Sequence, residues 1–384
     1  MKVKIAISEP AEVIDPFITD LSSYIAKSKR AIVVTGAGIS CSSGIPDFRS
    51  SDGLYNLVKQ RHPDTVLRGK ELFDATLFRN EKTIKCFYTF MAELRALISN
   101  ANPTLTHQFI QSLTHKGQLL RCYTQNIDFL EENLNIPAIQ LHGTMKEVRC
   151  TLCSATYDFT DDYAQQFMTG EAPICPQCES VEAERARQGK RQLAVGTLRP
   201  AIVLYNEDHP NGESIGQLQV NDLKKKPDLM IVMGTSLKIP ALKKFIKQAA
   251  KIIHEKPGGI VVFVNRTSPT KEWEKVFDYE VLGDTDEWVE WTNKKLADEK
   301  LMNQTALKLR RLAKERQESA DYEDDDDDDE KENTPVRKRR NNSAKTTAKQ
   351  PSLKRTLSKS QTTITHFAVT KRRNTAHAKA NKVV

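Results

Sequence analysis

The sequence predicts an α/β protein: a Rossmann-like parallel sheet domain with a small zinc-binding module and a disordered C-terminal tail. Three observations carry that prediction. Short β-branched apolar runs alternate with stretches of helical period, two C-x-x-C pairs interrupt the alternation, and beyond residue 320 large apolar side chains become scarce.

Residues 31–34, 119–124, 138–141, 229–233 and 260–265 are short, apolar and β-rich, as strands of a parallel sheet covered on both faces must be. Residues 81–98, 105–113 and 241–253 carry their apolar side chains at helical spacing and predict the covering helices. Residues 286–314 also read as helical, with Trp288, Trp291 and Leu296 available to pack on the domain. Between 146 and 200 the periodicity fails and cysteines and charges take over, which marks a second, small module.

The first predicted strand opens into Thr35-Gly36-Ala37-Gly38-Ile39-Ser40. Two glycines there let the backbone turn tightly and approach a pyrophosphate, and a helix starting near Ile39 is predicted to present free N–H groups to the phosphates. The spacing departs from the G-x-G-x-x-G of dehydrogenases, because Cys41 occupies the third glycine position. Gly-Ala-Gly alone therefore fits a plain strand-to-helix turn as well as it fits a dinucleotide loop. The continuation Gly44-Ile45-Pro46-Asp47-Phe48-Arg49 combines a rigid turn, a carboxylate, an aromatic ring and a guanidinium, which is more than a turn requires.

Charge divides the 384 residues unevenly. Residues 1–320 carry 43 Lys and Arg against 40 Asp and Glu, residues 321–330 nine acids and no base, and residues 331–384 fifteen bases against one acid. The net charge of +8 thus belongs to the tail and says little about the folded part. No run of eighteen apolar residues exists and the start lacks a continuous apolar segment, so a soluble intracellular protein with no membrane partner is expected.

Seven cysteines, an odd number, argue against a disulfide framework. Cys150-x-x-Cys153 and Cys175-x-x-Cys178 stand 21 residues apart, a spacing at which two knuckles fold over a tetrahedral four-thiolate zinc. Such a closed set has no position for water, so its zinc is structural.

Gln125-Asn126-Ile127-Asp128 follows the second predicted strand and His142-Gly143 the third. Gly234-Thr235-Ser236 and Asn265-Arg266 end the fourth and fifth. Carboxyl ends of parallel strands form the edge at which open α/β sheets bind ligands, so an amide, a carboxylate and an imidazole converge beside the glycine turn.

As an ordered set, Gly-Ala-Gly-Ile-Ser, Gly-Ile-Pro-Asp-Phe-Arg, Thr-Gln-Asn-Ile-Asp, Leu-His-Gly, the two C-x-x-C pairs and Gly-Thr-Ser resemble the sirtuins, NAD-dependent protein lysine deacylases, over roughly residues 14–295. Ser50-Ser51-Asp52-Gly53-Leu54-Tyr55, Val203-Leu204-Tyr205 and the segment from Met233 to Pro240 resemble the fungal branch that deacetylates a lysine in the histone core. The resemblance implies that the acetyl oxygen attacks the nicotinamide ribose of NAD, releasing nicotinamide and, in the end, deacylated lysine and O-acetyl-ADP-ribose. His142 is then the general base on the ribose hydroxyls, Asn126 orients ribose and water, Asp128 accepts from the nicotinamide carboxamide, and Phe48 covers the reacting face. The remaining NAD-binding positions implied are Gly36, Ala37, Gly38, Ile39, Asp47, Arg49, Tyr55, Gln125, Ile127, Gly234, Thr235, Ser236, Asn265, Arg266, Thr267 and Thr285, the last where many sirtuins have cysteine. Asn206 departs from the glycine that is common in the substrate segment, and asparagine is the residue other than glycine that most readily takes positive φ.

The expected organisation is a catalytic domain over residues 14–300 with the zinc module within 146–200, a helical extension over 301–320 and an acidic, then basic, disordered tail over 321–384. Arg337–Arg340 and Lys371–Arg373 read as nuclear-import or nucleic-acid clusters, which favours a nuclear location and chromatin as partner. Gln361-x-x-Ile364-x-x-Phe367 resembles the box that binds the replication sliding clamp, with Ala368 where a second aromatic is usual. Lys331-Glu332-Asn333 resembles a degradation box and Thr334-Pro335 a cyclin-dependent kinase site. Removal of longer acyl groups, ADP-ribosyl transfer to protein, and an adaptor that binds NAD with little turnover are the competing functions.

Overall fold

The computed structural model describes residues 3–61 and 69–323. Chain contacts separate residues 1–318 from residues 319–384, and the second unit lies almost wholly outside the described residues. With it lie the basic clusters, the clamp-type box at Gln361, Ile364 and Phe367, and Thr334.

Seven strands, all parallel, build the main sheet: β1 (Val3–Ala6), β2 (Ala31–Thr35), β3 (Leu119–Thr124), β4 (Ala138–Gln140), β8 (Leu229–Met233), β9 (Ile260–Asn265) and β10 (Tyr279–Leu282). Their order is β1-β10-β9-β8-β2-β3-β4. Strands β2 and β8 are buried along their whole length, which is why they read as unbroken apolar runs. Residues 3–6 and 279–282 show no apolar run of the kind that marks the other strands. β1 is the edge strand and β10 its neighbour; both are four residues long and carry charges, Lys4 and Glu280, whose side chains pair at 3.3 Å.

Helices cover both faces, and the chain also forms α2 (Leu54–Arg61), α5 (Leu130–Asn133) and α8 (Gly212–Lys224). On one side α1 (Ala11–Lys27), α4 (Leu105–His115) and the start of α10 (Thr285–Glu323) pack Ile14, Ile18, Leu21, Phe109 and Trp288 against β2, β8 and β9. On the other, α9 (Pro240–His254) buries Leu242, Phe245, Ile246, Ala249 and Ile253, a helical stripe that meets Tyr123 and Phe263. The helix predicted over 286–314 is longer at both ends.

The region without clear periodicity is ordered. Strands β5 (Gly143–Cys150), β6 (Thr156–Asp158) and β7 (Leu198–Ile202) form an antiparallel sheet in the order β6-β5-β7, flanked by α6 (Asp161–Met168) and α7 (Pro176–Arg187). It packs on α3 (Glu81–Ser99), with the Tyr88 ring 4.8 Å from that of Phe167. β5 begins one residue after His142 and pairs Gly143 with Ile202 at one end and Cys150 with Leu198 at the other, so one strand pair links the cysteines to the sheet edge.

In the strand order, β2 is flanked by β3 on one side and β8 on the other, and the chain runs outward in both directions from there. That reversal is the switch point at which a crevice opens beyond the carboxyl ends of the strands.

Candidate active site

A cleft of about 630 Å³ opens at this switch point. Gly36, Ala37, Gly38, Asp47, Phe48, Arg49, Tyr55, Gln125, Ile127, His142, Gly234, Thr235, Ser236, Asn265, Arg266, Thr267 and Thr285 all line it. Ile39, Asn126 and Asp128 do not; they are buried behind its wall. Phe73 and Ile202, to which no sequence motif points, also face the cleft, together with Cys41, Ile239, Pro240 and Gly283.

The glycine turn needs a correction. The helix after β2 is a 3₁₀ helix that begins at Ala37 rather than near Ile39 and runs to Ser43, closed by Gly44 at φ 84°. Nor are its N–H groups all free for phosphates: Gly36 donates to the Met233 carbonyl at 3.1 Å and Gly38 to the Gly234 carbonyl at 2.9 Å. The glycines bring two loops together. A Cβ on Gly38 would lie 2.7 Å from the Gly234 Cα, closer than any packing allows. Gly38→Ala is therefore expected to push the loops apart, destabilising the fold by about 1–3 kcal/mol and raising KM for NAD, as paired thermal unfolding and kinetics on the variant will measure.

Asp47 is tied to its own turn, its Oδ1 accepting from the Arg49 and Ser50 N–H groups at 2.7 Å each. This holds Phe48 against Tyr55 and Phe73, with ring centroids 5.8 and 5.3 Å away, as an aromatic lid over the cleft. Arg49 donates to the Tyr205 hydroxyl at 2.9 Å. Gln125 donates to Thr35 O and to Thr235 Oγ1, at 2.9 and 2.8 Å, bridging the ends of β2 and β8. Across the mouth, Arg266 pairs with Asp284 at 2.6 Å, and Thr285 accepts from Thr106 at 3.0 Å.

His142 stands part-buried after β4, its Nδ1 2.9 Å from the Gln125 carbonyl. A carbonyl only accepts, so Nδ1 carries the proton and Nε2 keeps its lone pair. Burial lowers the His142 pKa below the usual imidazole value, and His209 and Arg49 add to that against the Gln125 bond. The ring is therefore neutral at pH 7 and able to take a proton.

The substrate segment keeps its bend. Asn206 sits at φ 63°, the positive value that asparagine tolerates, and its amide donates to Asp74 at 2.7 Å. Tyr205 pairs with the 73–75 loop, donating its N–H to Phe73 O at 2.8 Å and accepting from the Ala75 N–H at 3.0 Å.

In the small module the sulfurs of Cys150, Cys153, Cys175 and Cys178 all lie within 4.8 Å of one another. Cys150 and Cys178, and Cys153 and Cys175, are each 3.7 Å apart. Thiolates at the zinc bond length of ~2.3 Å lie about 3.8 Å apart in a tetrahedron, so the four residues fit that ion. The Leu152 and Cys153 N–H groups point at the Cys150 sulfur, and a Cβ on Gly196 would come within 2.5 Å of it. The donor set leaves no open position for a substrate.

Comparison with known proteins decides the family. A model of the Sir2 family matches residues 36–241. The chain belongs to the Sir2 family. Among relatives of this sirtuin, the NAD-dependent histone deacetylase HST3 of Candida albicans is 42% identical, covering 75% of this chain and 66% of its own length. HST3 of Saccharomyces cerevisiae is 40% identical over 78% of this chain and 73% of its own, and the NAD-dependent protein deacetylase hst4 of Schizosaccharomyces pombe 43% identical over 70% and 66%. The chain thus spans about two thirds to three quarters of these relatives. A solved Sir2 homolog in complex with NAD superposes with a TM-score of 0.56 at 28% identity, covering 72% of this chain and 94% of that one. The parallel sheet, the inserted module and the cleft between them are the sirtuin architecture. Among the described residues no helix is long and apolar enough to cross a membrane.

Proposed function

We propose that this sirtuin is an NAD-dependent protein lysine deacetylase acting on acetylated histones, with the catalytic domain over residues 14–300. The observation that carries the reading is the neutral His142, aimed into the cleft with its Nδ1–H anchored on the Gln125 carbonyl and the aromatic lid of Phe48 beside it. The curated relatives named above are described as deacetylases that use NAD, and two of them as histone deacetylases.

Bound NAD supplies the electrophilic ribose carbon that nicotinamide leaves and the acetyl oxygen of the substrate joins. The chain's own residues do the rest. His142 Nε2 accepts the proton of a ribose hydroxyl, and its buried ring needs no deprotonation at neutral pH. The packed rings of Phe48, Tyr55 and Phe73 exclude water from the carbon under attack. Asp128 accepts Ser40 Oγ–H at 2.7 Å, and Asn126 donates to the same oxygen at 3.2 Å, so the two polar groups behind the wall are held in one frame. The substrate's acetyl-lysine strand adds beside residues 203–207 through backbone bonds, so that side-chain selection is loose. The four cysteines hold a structural zinc and take no part in the chemistry.

Nicotinamide release tests the reading: histone peptides carrying acetyl-lysine stimulate it strongly, and butyryl peptides weakly. Equal stimulation by both would favour a longer-chain deacylase, and none by either an adaptor. The basic clusters beyond residue 336 support a nuclear location, and Gln361, Ile364 and Phe367 support weak recruitment to a replication sliding clamp. Clamp binding by the full chain that survives Phe367→Ala unchanged would remove that second contact.

A further inference from the structure

Behind the wall of the cleft lies a buried polar cluster of which the proposed chemistry uses only Asp128. Asp128 and Glu131 are 4% and 1% exposed, and their carboxylate oxygens and a ring nitrogen of the fully buried His107 all lie within 4.8 Å of one another. No Lys or Arg among the described residues pairs with either carboxylate. His107 supplies no charge. Its Nδ1 accepts the Thr104 N–H at 3.2 Å, so the neutral ring carries its proton on Nε2, and Nε2 has no partner among the described residues. Burial brings the His107 pKa down to about 4, so the ring stays neutral at pH 7.

Two carboxylates this close in a dry site cannot both be charged without a cation. Their hydrogen bonds decide which one is ionised. Asp128 accepts the Ser40 hydroxyl at 2.7 Å on Oδ2 and the Leu130 N–H at 3.3 Å on Oδ1, both of which favour its anion. Glu131 receives a long 3.5 Å contact from Thr35 and further support from Thr124 and its own N–H, but nothing to match the 2.7 Å bond that Ser40 gives Asp128. We propose that Glu131 is a positioning residue that carries a proton at neutral pH, so that Asp128 is the single negative charge behind the nicotinamide end of the cleft. Burial, and after it the Asp128 charge, push the Glu131 pKa up to about 8. The other titratable groups facing the cluster are Cys122 on β3, whose thiol is raised by burial and by Glu131, and Asp286 at the start of α10, which faces His107. The protonation does not depend on the proposed function, whereas the positioning role rests on the reading of Asp128 given above.

Two arms test it separately. In substrate-free unfolding, the folded chain holds a proton that the unfolded chain has lost. The folding constant of the wild type should therefore drop relative to Glu131→Gln by about tenfold per pH unit between pH 5 and 8 and level off above that. In nicotinamide release, Glu131→Gln, which mimics the neutral acid, should keep kcat and KM for NAD within about twofold at pH 7 and lose the decline that the wild type shows above pH 8. A flat stability difference across that range overturns the protonation. A flat stability profile is not needed to test the role: a loss of activity of more than about a hundredfold in a folded Glu131→Gln at pH 7 overturns the positioning role by itself. Infrared spectroscopy of the wild type at pH 7 keeps the idea testable if the variant does not fold. The carbonyl band of a buried protonated carboxyl is expected, and its absence, or a second metal ion per chain beyond the zinc, would sink the proposal.

Discussion

Replacing His142 by alanine is expected to lower kcat for NAD-dependent deacetylation by about 10²–10⁴-fold, the usual range for a lost general base. The unfolding temperature should barely move, because the ring is only part-buried and its one bond is to the Gln125 carbonyl. The pH profile supplies the sign. His142 acts when neutral, and burial depresses its pKa below the ordinary 6.5, so activity should hold steady from pH 7 down past 6.5 and fall only as the pH drops through the lowered value. A wild-type acid limb centred at or above the ordinary imidazole value would show that the ring is more hydrated than the structure has it.

The second large effect is expected at the cysteines. Cys150→Ser should take the zinc content from one per chain to none and abolish deacetylation, although no cysteine reaches the cleft from this module. Structural zinc contributes about 10–16 kcal/mol of apparent binding free energy in zinc-finger peptides, more than a small antiparallel sheet can replace. The damage spreads along β5 and β7. Cys150 opposite Leu198 and Gly143 opposite Ile202 belong to one strand pair, and the Val203 N–H donates to the His142 carbonyl at 2.9 Å. Loosening the zinc end thus frees the backbone that fixes both the imidazole and the substrate segment. Metal analysis with activity across a chelator titration checks this; full activity in a zinc-free protein would contradict it.

The central strands were readable because burial on both faces forces an unbroken apolar run, and the edge that collects Gln125, His142, Gly234 and Asn265 followed from them. Charged edge strands such as β1 hide that signal. The glycines could be seen but not their use: Gly38 gives its N–H to Gly234, a partner nearly two hundred residues away that no local pattern points to. The buried cluster escaped for the same reason. Glu131 and Glu132 are neighbours of one chemistry in a short helical turn, yet one is 1% exposed and the other pairs with Lys146 at the surface. Asn206 shows the opposite case: the resemblance implied a glycine-like bend there, asparagine tolerates the positive φ it needs, and the structure contains it.

Consumption of NAD as an acetyl group leaves a histone lysine is the reaction proposed for this sirtuin. Acetylated nucleosomes incubated with the wild-type and His142→Ala proteins, with and without NAD, and mapped by mass spectrometry test this directly. The predicted result is loss of acetyl groups matched one for one by released nicotinamide, seen only with NAD and only in the wild type. No loss at any lysine, or loss that persists undiminished without His142, would contradict it.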